Sequence, residues 1–299
     1  MPGLGTWRSD PGQVQEIVKQ AILHGYRHID GAWIYGNEAE IGNGIKEAIA
    51  ESKGHIKRED IFITTKIWNQ YHKPDDAEWA VRDSLNKLKL DYVDLVLIHW
   101  PIAFKKIKEN RWSQSEDKKE RYYEESISLE QTWEGLEKLV EKKLTHSIGL
   151  SNFNSSEIER ILKVAKIKPV TNQIELHPYL NQKELRDYCH QHQITITSYC
   201  PLSNLKREGD SVTALNDPVI EALGKKYNKT SAQIIIRWHL QHGLIVIPKT
   251  VTPQRLIENA DVFDFELTTD DVNSIDKMGE KNLRFINPAF KPGNKGMFD

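Results

Sequence analysis

Residues 61–99 read IFITTKIWNQYHKPDDAEWAVRDSLNKLKLDYVDLVLIH, and they contain one complete copy of the unit that the chain repeats. Two short apolar or β-branched runs, Ile61–Lys66 and Tyr92–His99, predict buried strands. Between them, Asp75–Leu90 carries apolar residues at three- and four-residue spacing, which predicts an amphipathic helix. Strand, helix and strand in this order are typical of a parallel βαβ unit.

The same alternation extends in both directions along the chain. Further strands are predicted over Gly3–Trp7, Tyr26–Asp30, His146–Ser151, Pro169–Glu175, Gln193–Tyr199 and Leu244–Lys249. Helices are predicted over Gly12–His24, Glu38–Ser52, Leu129–Glu141, Ser156–Lys163, Gln182–His192, Val219–Lys226 and Ala232–Gln241. Eight strands favour an α/β fold of the closed (β/α)8 TIM barrel type over an open doubly wound sheet. No linker divides residues 1–299, so we expect a single domain, with the long insertion Phe104–Ser128 as a flap beside the site.

The composition argues against several classes of function. Acidic and basic residues are interspersed and nearly balanced, 43 against 41, which gives no electrostatic reason to bind nucleic acid or an anionic membrane. The sequence has only two cysteines, no secretory leader and no apolar run long enough to span a bilayer. We therefore expect a cytoplasmic monomer with no metal site and no obligate protein partner.

Polar side chains that could carry chemistry stand at the predicted ends of nearly all strands. The active sites of (β/α)8 barrels are assembled at the carboxyl ends of the strands, so these side chains should converge on one rim. Each one alone is better explained as a turn, a cap or a core residue, but the whole ring favours a functional site. The ring consists of Asp30, Lys66, His99, Ser151 with Asn152, Gln173, Tyr199 and Lys249.

A Rossmann dinucleotide site is not expected, because no G-x-G-x-x-G follows a predicted strand. Instead, a series of segments resembles the signature blocks of the aldo-keto reductases, especially the aldose and aldehyde reductase branch. The resemblance runs from Gly3 to about Phe265. The segments are GYRHIDGAWIYGNEAEIG (25–42), FITTKIW (62–68), LVLIHWPIAF (95–104), IGLSNFN (148–154), NQIELHPYL (172–180), SYCPL (198–202) and VIPKTVTPQRLIEN (246–259).

The resemblance implies NADPH-dependent reduction of aldehydes and ketones to alcohols on a (β/α)8 barrel. It implies a catalytic tetrad of Asp30, Tyr35, Lys66 and His99, with Tyr35 as the general acid that protonates the carbonyl oxygen. A phenol is a poor acid at neutral pH, and a nearby Lys66 ammonium would lower its pKa. Asp30 would pair with Lys66, and His99 would orient the carbonyl.

The resemblance also implies how the cofactor is held. Ser151, Asn152 and Gln173 would bond the nicotinamide carboxamide, and Tyr199 would stack on the ring. Either Ser203 or Asn204 would lie near the pyrophosphate. The segment 249–259 would hold the 2′-phosphate through Lys249, Thr250 and Arg255 and the adenine edge through Glu258 and Asn259, so NADPH should be preferred over NADH. The implied cofactor set also includes Thr6, Trp7, Asp30, Lys66, Leu202 and Val251.

An aromatic substrate pocket is implied as well, because several large rings fall just beyond strand ends. Such a pocket would favour carbonyl compounds with apolar bodies. The implied pocket residues are Trp7, Trp33, Trp68, Trp100 and Phe104, together with Tyr35 and His99.

Two departures from the family pattern qualify the resemblance. The family opens with a short β-hairpin that covers the barrel floor, whereas this sequence begins almost at Gly-Leu-Gly-Thr-Trp, so we expect that hairpin to be missing or truncated. The resemblance fades in Lys105–Ser128 and after Gly279, the loops that set substrate choice in the family.

Two alternatives stay open: a non-catalytic nucleotide-binding member of the same fold, of the crystallin or channel-subunit type, and an unrelated barrel enzyme such as an isomerase. The complete tetrad argues against the first.

Overall fold

The computed structural model describes residues 2–107, 109–116, 120–203, 213–292 and 295–298. Close backbone contacts divide the chain into two compact units. Unit 1 comprises Met1–Asp30, Gly44–Ile61 and Gln173–Phe285, and unit 2 comprises Gly31–Asn43, Phe62–Asn172 and Ile286–Asp299. A single domain over residues 1–299 stays a prediction.

The strands form one eight-stranded sheet whose order follows the sequence. Where the register is defined, neighbouring strands are parallel. Within unit 1 the last strand bonds back to the first: Gly3 N donates to Val246 O at 2.9 Å and Gly5 N to Pro248 O at 3.1 Å. This connectivity is that of a (β/α)8 barrel, which confirms the predicted fold class. The strands are β1 (Leu4–Gly5), β2 (His28–Asp30), β3 (Phe62–Ile67), β4 (Val93–Ile98), β5 (Thr145–Ser151), β6 (Thr171–Glu175), β7 (Thr195–Tyr199) and β8 (Ile245–Val246).

The helices lie between the strands and after the last one. Those predicted from periodicity are α1 (Val14–Leu23), α2 (Glu38–Glu51), α3 (Pro74–Leu88), α4 (Leu129–Glu141), α5 (Ser155–Val164), α6 (Lys183–Gln191), α7 (Pro218–Tyr227) and α8 (Ser231–Gln241). Helix α9 (Pro253–Ala260) begins at Pro253, whose fixed φ and missing N–H suit the first helical position. Helix α10 (Thr269–Lys277) was not predicted, because its only apolar residues are Val272 and Ile275. None of the described helices is both long and apolar enough to cross a membrane.

The burial of side chains in unit 2 follows the apolar patterns from which its strands and helices are predicted. All six residues of β4 are buried, as a strand covered on both faces requires. Helix α3 buries Ala77, Ala80, Val81, Ser84, Leu85 and Leu88 at three- and four-residue spacing. Gly42 of α2 approaches the end of α3 so closely that an added Cβ would lie 2.2 Å from the backbone oxygen of Leu88. Only glycine permits this contact.

Candidate active site

Tyr35 lies in a short 3-10 helix, Trp33–Tyr35, between β2 and α2. Gly36 ends this turn at φ 74°, a left-handed conformation that glycine adopts without a Cβ clash. The turn places the Tyr35 ring edge to face with the His99 ring, 5.8 Å between centroids. The Nζ atom of Lys66 lies 5.2 Å from the Tyr35 ring centroid. Three members of the predicted tetrad therefore lie together in unit 2.

Lys66 lies in β3 and is 1% exposed. Its Nζ donates a hydrogen bond of 2.8 Å to the backbone oxygen of Gly31. A buried ammonium is costly unless hydrogen bonds or opposite charge replace its hydration, and this carbonyl supplies part of that replacement. The Nζ atom of Lys66 is thus held beside the phenol ring of Tyr35.

His99 follows β4 and is 8% exposed. Burial, together with the nearby Lys66 ammonium, lowers the pKa of His99 well below its ordinary value of 6.5, so the imidazole is neutral at pH 7. Among the described residues, none hydrogen-bonds its Nδ1. The Nδ2 of Asn152 donates to the backbone oxygen of His99 at 2.9 Å and to Oγ of Ser151 at 3.1 Å. Two predicted cofactor residues are therefore tied to the end of β4.

The fourth tetrad member, Asp30, is the last residue of β2 and lies in unit 1. It is 3% exposed, and its Oδ2 accepts a hydrogen bond of 2.7 Å from Nε2 of Gln173. The backbone oxygen of Asp30 accepts one of 2.8 Å from Oγ1 of Thr6. Unit 1 thus brings together three predicted site residues. Gln173 lies two residues before Glu175, the predicted and observed end of β6.

The residues predicted near the nicotinamide and pyrophosphate follow β7 in unit 1. Tyr199 is the last residue of that strand, and Leu202 and Ser203 come directly after it. Ser203 is fully buried, and within the described part of the chain its Oγ has no hydrogen-bond partner. A buried hydroxyl without a partner is unfavourable, so this atom fits a role in binding a phosphate oxygen. The alternative, Asn204, lies outside the described residues.

The residues predicted for the 2′-phosphate and adenine lie at the start of α9. Lys249 comes three residues after Val246, the last residue of β8, and it pairs with Gly5 of β1 in an isolated parallel bridge, so the pairing reaches the predicted strand end. Lys249 and Arg255 are exposed, and neither forms an ion pair within the described ranges. The Oγ1 of Thr250 accepts from the backbone N–H of Thr252 at 3.0 Å and so fixes the turn into the helix. Two unpaired cations beside a helix N-terminus fit a phosphate group. Val251 and Glu258 are partly exposed, and Asn259 is buried.

Large rings pack edge to face around Trp68 in unit 2. The centroid of Trp68 lies 5.3 Å from His99, 6.3 Å from Phe104, 5.2 Å from Trp112 and 5.8 Å from Phe290. The Nε1 of Trp68 also donates to the backbone oxygen of Arg111 at 2.6 Å, so the predicted flap lies against this ring. We call Trp68, Trp100, Phe104, Trp112 and Phe290 the aromatic cluster.

The chain can now be compared with known proteins. The model of the Aldo/keto reductase family matches residues 2–280. This chain belongs to the aldo/keto reductase family. It is 45% identical to aldo-keto reductase family 1 member A1 of Xenopus tropicalis over 99% of this chain and 90% of that protein.

Solved structures agree with this family. The aldose reductase of Schistosoma japonicum superposes with a TM-score of 0.88 at 39% identity, over 95% of this chain and 90% of that one. A Bombyx mori aldo-keto reductase solved in complex with NADP has a TM-score of 0.84 at 38% identity, with the same coverage. The predicted family is confirmed, and with it an NADP-dependent oxidoreductase on the (β/α)8 fold.

Trp33, a predicted pocket residue of this aldo/keto reductase, makes its ring contacts elsewhere in unit 2. The indole Nε1 of Trp33 donates to Asp83 at 2.7 Å, and its ring contacts are with Tyr71 and Trp79. Trp33 therefore lies apart from the aromatic cluster. Trp7 lies in unit 1, where the guanidinium of Arg8 stacks 4.4 Å from its ring centroid.

Two members of the aromatic cluster were not predicted as site residues. Trp112 stands in the flap, where its aromatic character is a usable signal, whereas Phe290 stands in a C-terminal stretch without any motif. Phe290 is 4% exposed and packs 5.3 Å from both Trp100 and Phe104.

In the described part of the chain, no group of three or more His, Cys, Asp or Glu residues could hold a metal ion.

Proposed function

We propose that this chain reduces aldehydes and ketones with NADPH and that Tyr35 donates the proton to the carbonyl oxygen. One observation carries the proposal: the Tyr35 ring lies close both to the buried Lys66 ammonium and to a neutral His99. NADPH supplies a hydride to the carbonyl carbon when bound. The protein must then deliver one proton to the carbonyl oxygen, so that the carbonyl becomes an alcohol.

Lys66 assists this proton transfer by electrostatics. A positive charge close to a phenol favours the phenolate, so it makes Tyr35 a better acid at neutral pH. We assign Asp30 to balance the charge of Lys66, as in the family pattern. The hydrogen bond from Gln173 to Asp30 supports this role, because it holds the carboxylate in one orientation.

His99 positions the substrate and does not compete for the proton. A neutral imidazole can donate one N–H to the carbonyl oxygen, and its lowered pKa prevents it from taking up the proton that Tyr35 releases. The hydrogen bond from Asn152 to the backbone oxygen of His99 fixes the position of the backbone from which the imidazole extends.

The chain's own residues hold NADPH along its length. We assign Lys249, Thr250 and Arg255 to the 2′-phosphate, Glu258 and Asn259 to the adenine edge, and Ser203 to the pyrophosphate. The unpaired cations and the unpartnered hydroxyl support these assignments. The nicotinamide end is assigned to Ser151, Asn152, Gln173 and Tyr199.

The aromatic cluster forms the wall that receives the body of the substrate. Its edge-to-face rings offer apolar surface next to His99, which suits aldehydes and ketones with aromatic or alkyl bodies.

We further infer that the protein acts as a cytoplasmic monomer. Its two cysteines, Cys189 and Cys200, are free, in keeping with a reducing compartment.

The test is reduction of a carbonyl panel with NADPH, comparing the wild type with Tyr35→Phe. Loss of the proton donor should lower kcat by about 10²–10⁴-fold while the affinity for NADPH stays nearly unchanged. Tyr71→Phe is the matched control, because Tyr71 is a second tyrosine of unit 2, buried, whose ring contacts Trp33 and Trp79. A wild type that binds NADPH without turnover would support the non-catalytic alternative, and full activity in Tyr35→Phe would remove Tyr35 from the mechanism.

A further inference from the structure

Glu175, at the end of β6, is a fully buried carboxylate with no part in the proposed chemistry. Its Oε1 accepts hydrogen bonds from Nε2 of His177 at 2.9 Å and from the backbone N–H of Phe285 at 2.7 Å. The guanidinium of Arg284 lies 4.0 Å from its Oε2. All of these residues belong to unit 1. Burying a carboxylate is costly, and here two hydrogen-bond donors and one cation that converge on it offset the cost.

Two of these three groups, on Arg284 and Phe285, belong to the segment that leads to the C-terminal part of the chain. Residues 281–285 are also held upstream: Leu283 N donates to Tyr179 O at 2.9 Å, and Lys281 Nζ donates to Asp217 at 2.9 Å. Arg284 adds a bond of 3.4 Å to the side-chain oxygen of Gln182. Glu175 is thus the last fixed point in unit 1 before the chain continues at Ile286.

The chain beyond that fixed point carries Phe290. Only four residues separate Phe285 from Phe290, and Phe290 packs among Trp68, Trp100 and Phe104 in the aromatic cluster. A short connection transmits a shift at one end to the other, because a few residues span only a limited distance. Loss of the anchor should therefore loosen Phe290.

We propose that Glu175 is a positioning residue for substrate selection: by holding Phe285 and Arg284, it fixes the start of the segment that places Phe290 in the aromatic cluster. The proposal rests on the proposed function, in which that cluster receives the substrate. It predicts that Glu175 affects large substrates and leaves proton transfer by Tyr35 unchanged.

The first experiment is amide hydrogen exchange of residues 286–292 in the NADPH-bound protein, with wild type compared with Glu175→Gln. Glutamine keeps the shape but loses the charge that strengthens all three contacts, so exchange should rise about tenfold. Glu175→Asp retracts the carboxylate from Phe285 and should raise exchange about threefold, which provides a second variant if Glu175→Gln does not fold.

Asp217→Asn is the matched control. Asp217 is also a buried carboxylate that holds this segment, through Lys281 and the hydroxyl of Tyr179. Its contact with Lys281 lies earlier in the segment than the contact of Glu175 with Phe285. Its replacement should leave exchange in 286–292 within about twofold of wild type. Equal exchange in wild type and both Glu175 variants would overturn the proposal, as would an equal rise in Asp217→Asn. Exchange needs no turnover, so an inactive wild type would count against the proposed function alone.

The second experiment separates positioning from general destabilisation. In Glu175→Gln, KM for 2-naphthaldehyde should rise about tenfold, while KM and kcat for glyceraldehyde stay within about twofold. Phe290→Ala should raise KM for 2-naphthaldehyde by a similar factor, and the double variant should add little, because both changes act through one ring. Equal losses for both aldehydes, or independent effects that multiply in the double variant, would show that Glu175 only stabilises the fold.

Discussion

Replacement of Arg255 by alanine should weaken NADPH binding and leave NADH binding nearly unchanged. Arg255 is exposed and forms no ion pair in the described part of the chain, so its charge is available to the 2′-phosphate that only NADPH carries. A hydrogen bond to a charged group contributes about 1.5–3 kcal/mol. Solvent screening at an exposed site favours the lower value, which corresponds to about tenfold in Kd. Removing Lys249 as well should bring the loss to about a hundredfold.

The assay is quenching of tryptophan fluorescence by each coenzyme, at low and at high salt. Arg82→Ala is the control, because it removes the same charge from an exposed helix position paired with Glu78. The NADPH loss in Arg255→Ala should shrink as salt rises, since ions screen an exposed contact. Equal weakening of NADH and NADPH would refute the phosphate assignment, and so would an equal effect of Arg82→Ala.

Three further predictions concern pH and packing. The His99 imidazole should not titrate between about pH 5 and 8 in NMR spectra, because burial and Lys66 hold its pKa well below 6.5; a midpoint near the ordinary value would contradict this. Arg160 and Glu130 form a two-bond ion pair that lowers the pKa of Glu130 to about 2. Above pH 4.5 the pair should therefore stabilise the fold by at most about 1 kcal/mol, and this stabilisation should be lost as pH falls towards 2. The measurement is the difference in unfolding free energy between wild type and Glu130→Gln as a function of pH. Gly42→Ala should lower the unfolding free energy by about 3 kcal/mol or more, because its Cβ would meet Leu88 O at 2.2 Å. Gly54→Ala, whose Cβ meets nothing within 4 Å but whose φ is +89°, should cost only about 1 kcal/mol, and equal melting temperatures for the two variants would contradict the steric argument.

The order of strands and helices could be predicted because each element carries its own local period. Buried runs such as Val93–Ile98 and amphipathic stretches such as Leu129–Glu141 are visible without tertiary information. The first and last strands are continuous over only two residues each, fewer than predicted, although a further parallel bridge joins Gly5 to Lys249. Arg8, just beyond the first strand, already has a left-handed φ of 54°. Strand ends depend on pairing between distant segments, which local composition does not encode.

The candidate site was predictable where residues fall in signature blocks and obscure elsewhere. Trp33 was placed in the pocket because it is near a strand end and Tyr35. In a 3-10 helix, however, residues two apart point to different sides, so Trp33 turns towards Asp83. Phe290 and Glu175 acquire their significance only from contacts with segments far away in sequence. No spacing rule could have connected them.

The bonds that close the sheet, from Gly3 and Gly5 to Val246 and Pro248, have a consequence for folding kinetics. They join segments from nearly opposite ends of the chain, and such long loops close late because the entropy cost must be met before the contact forms. Until closure, the edge of β8 is an unpaired template on which another chain can add a strand. The edge of β8 is therefore open to pairing with another chain until these bonds form.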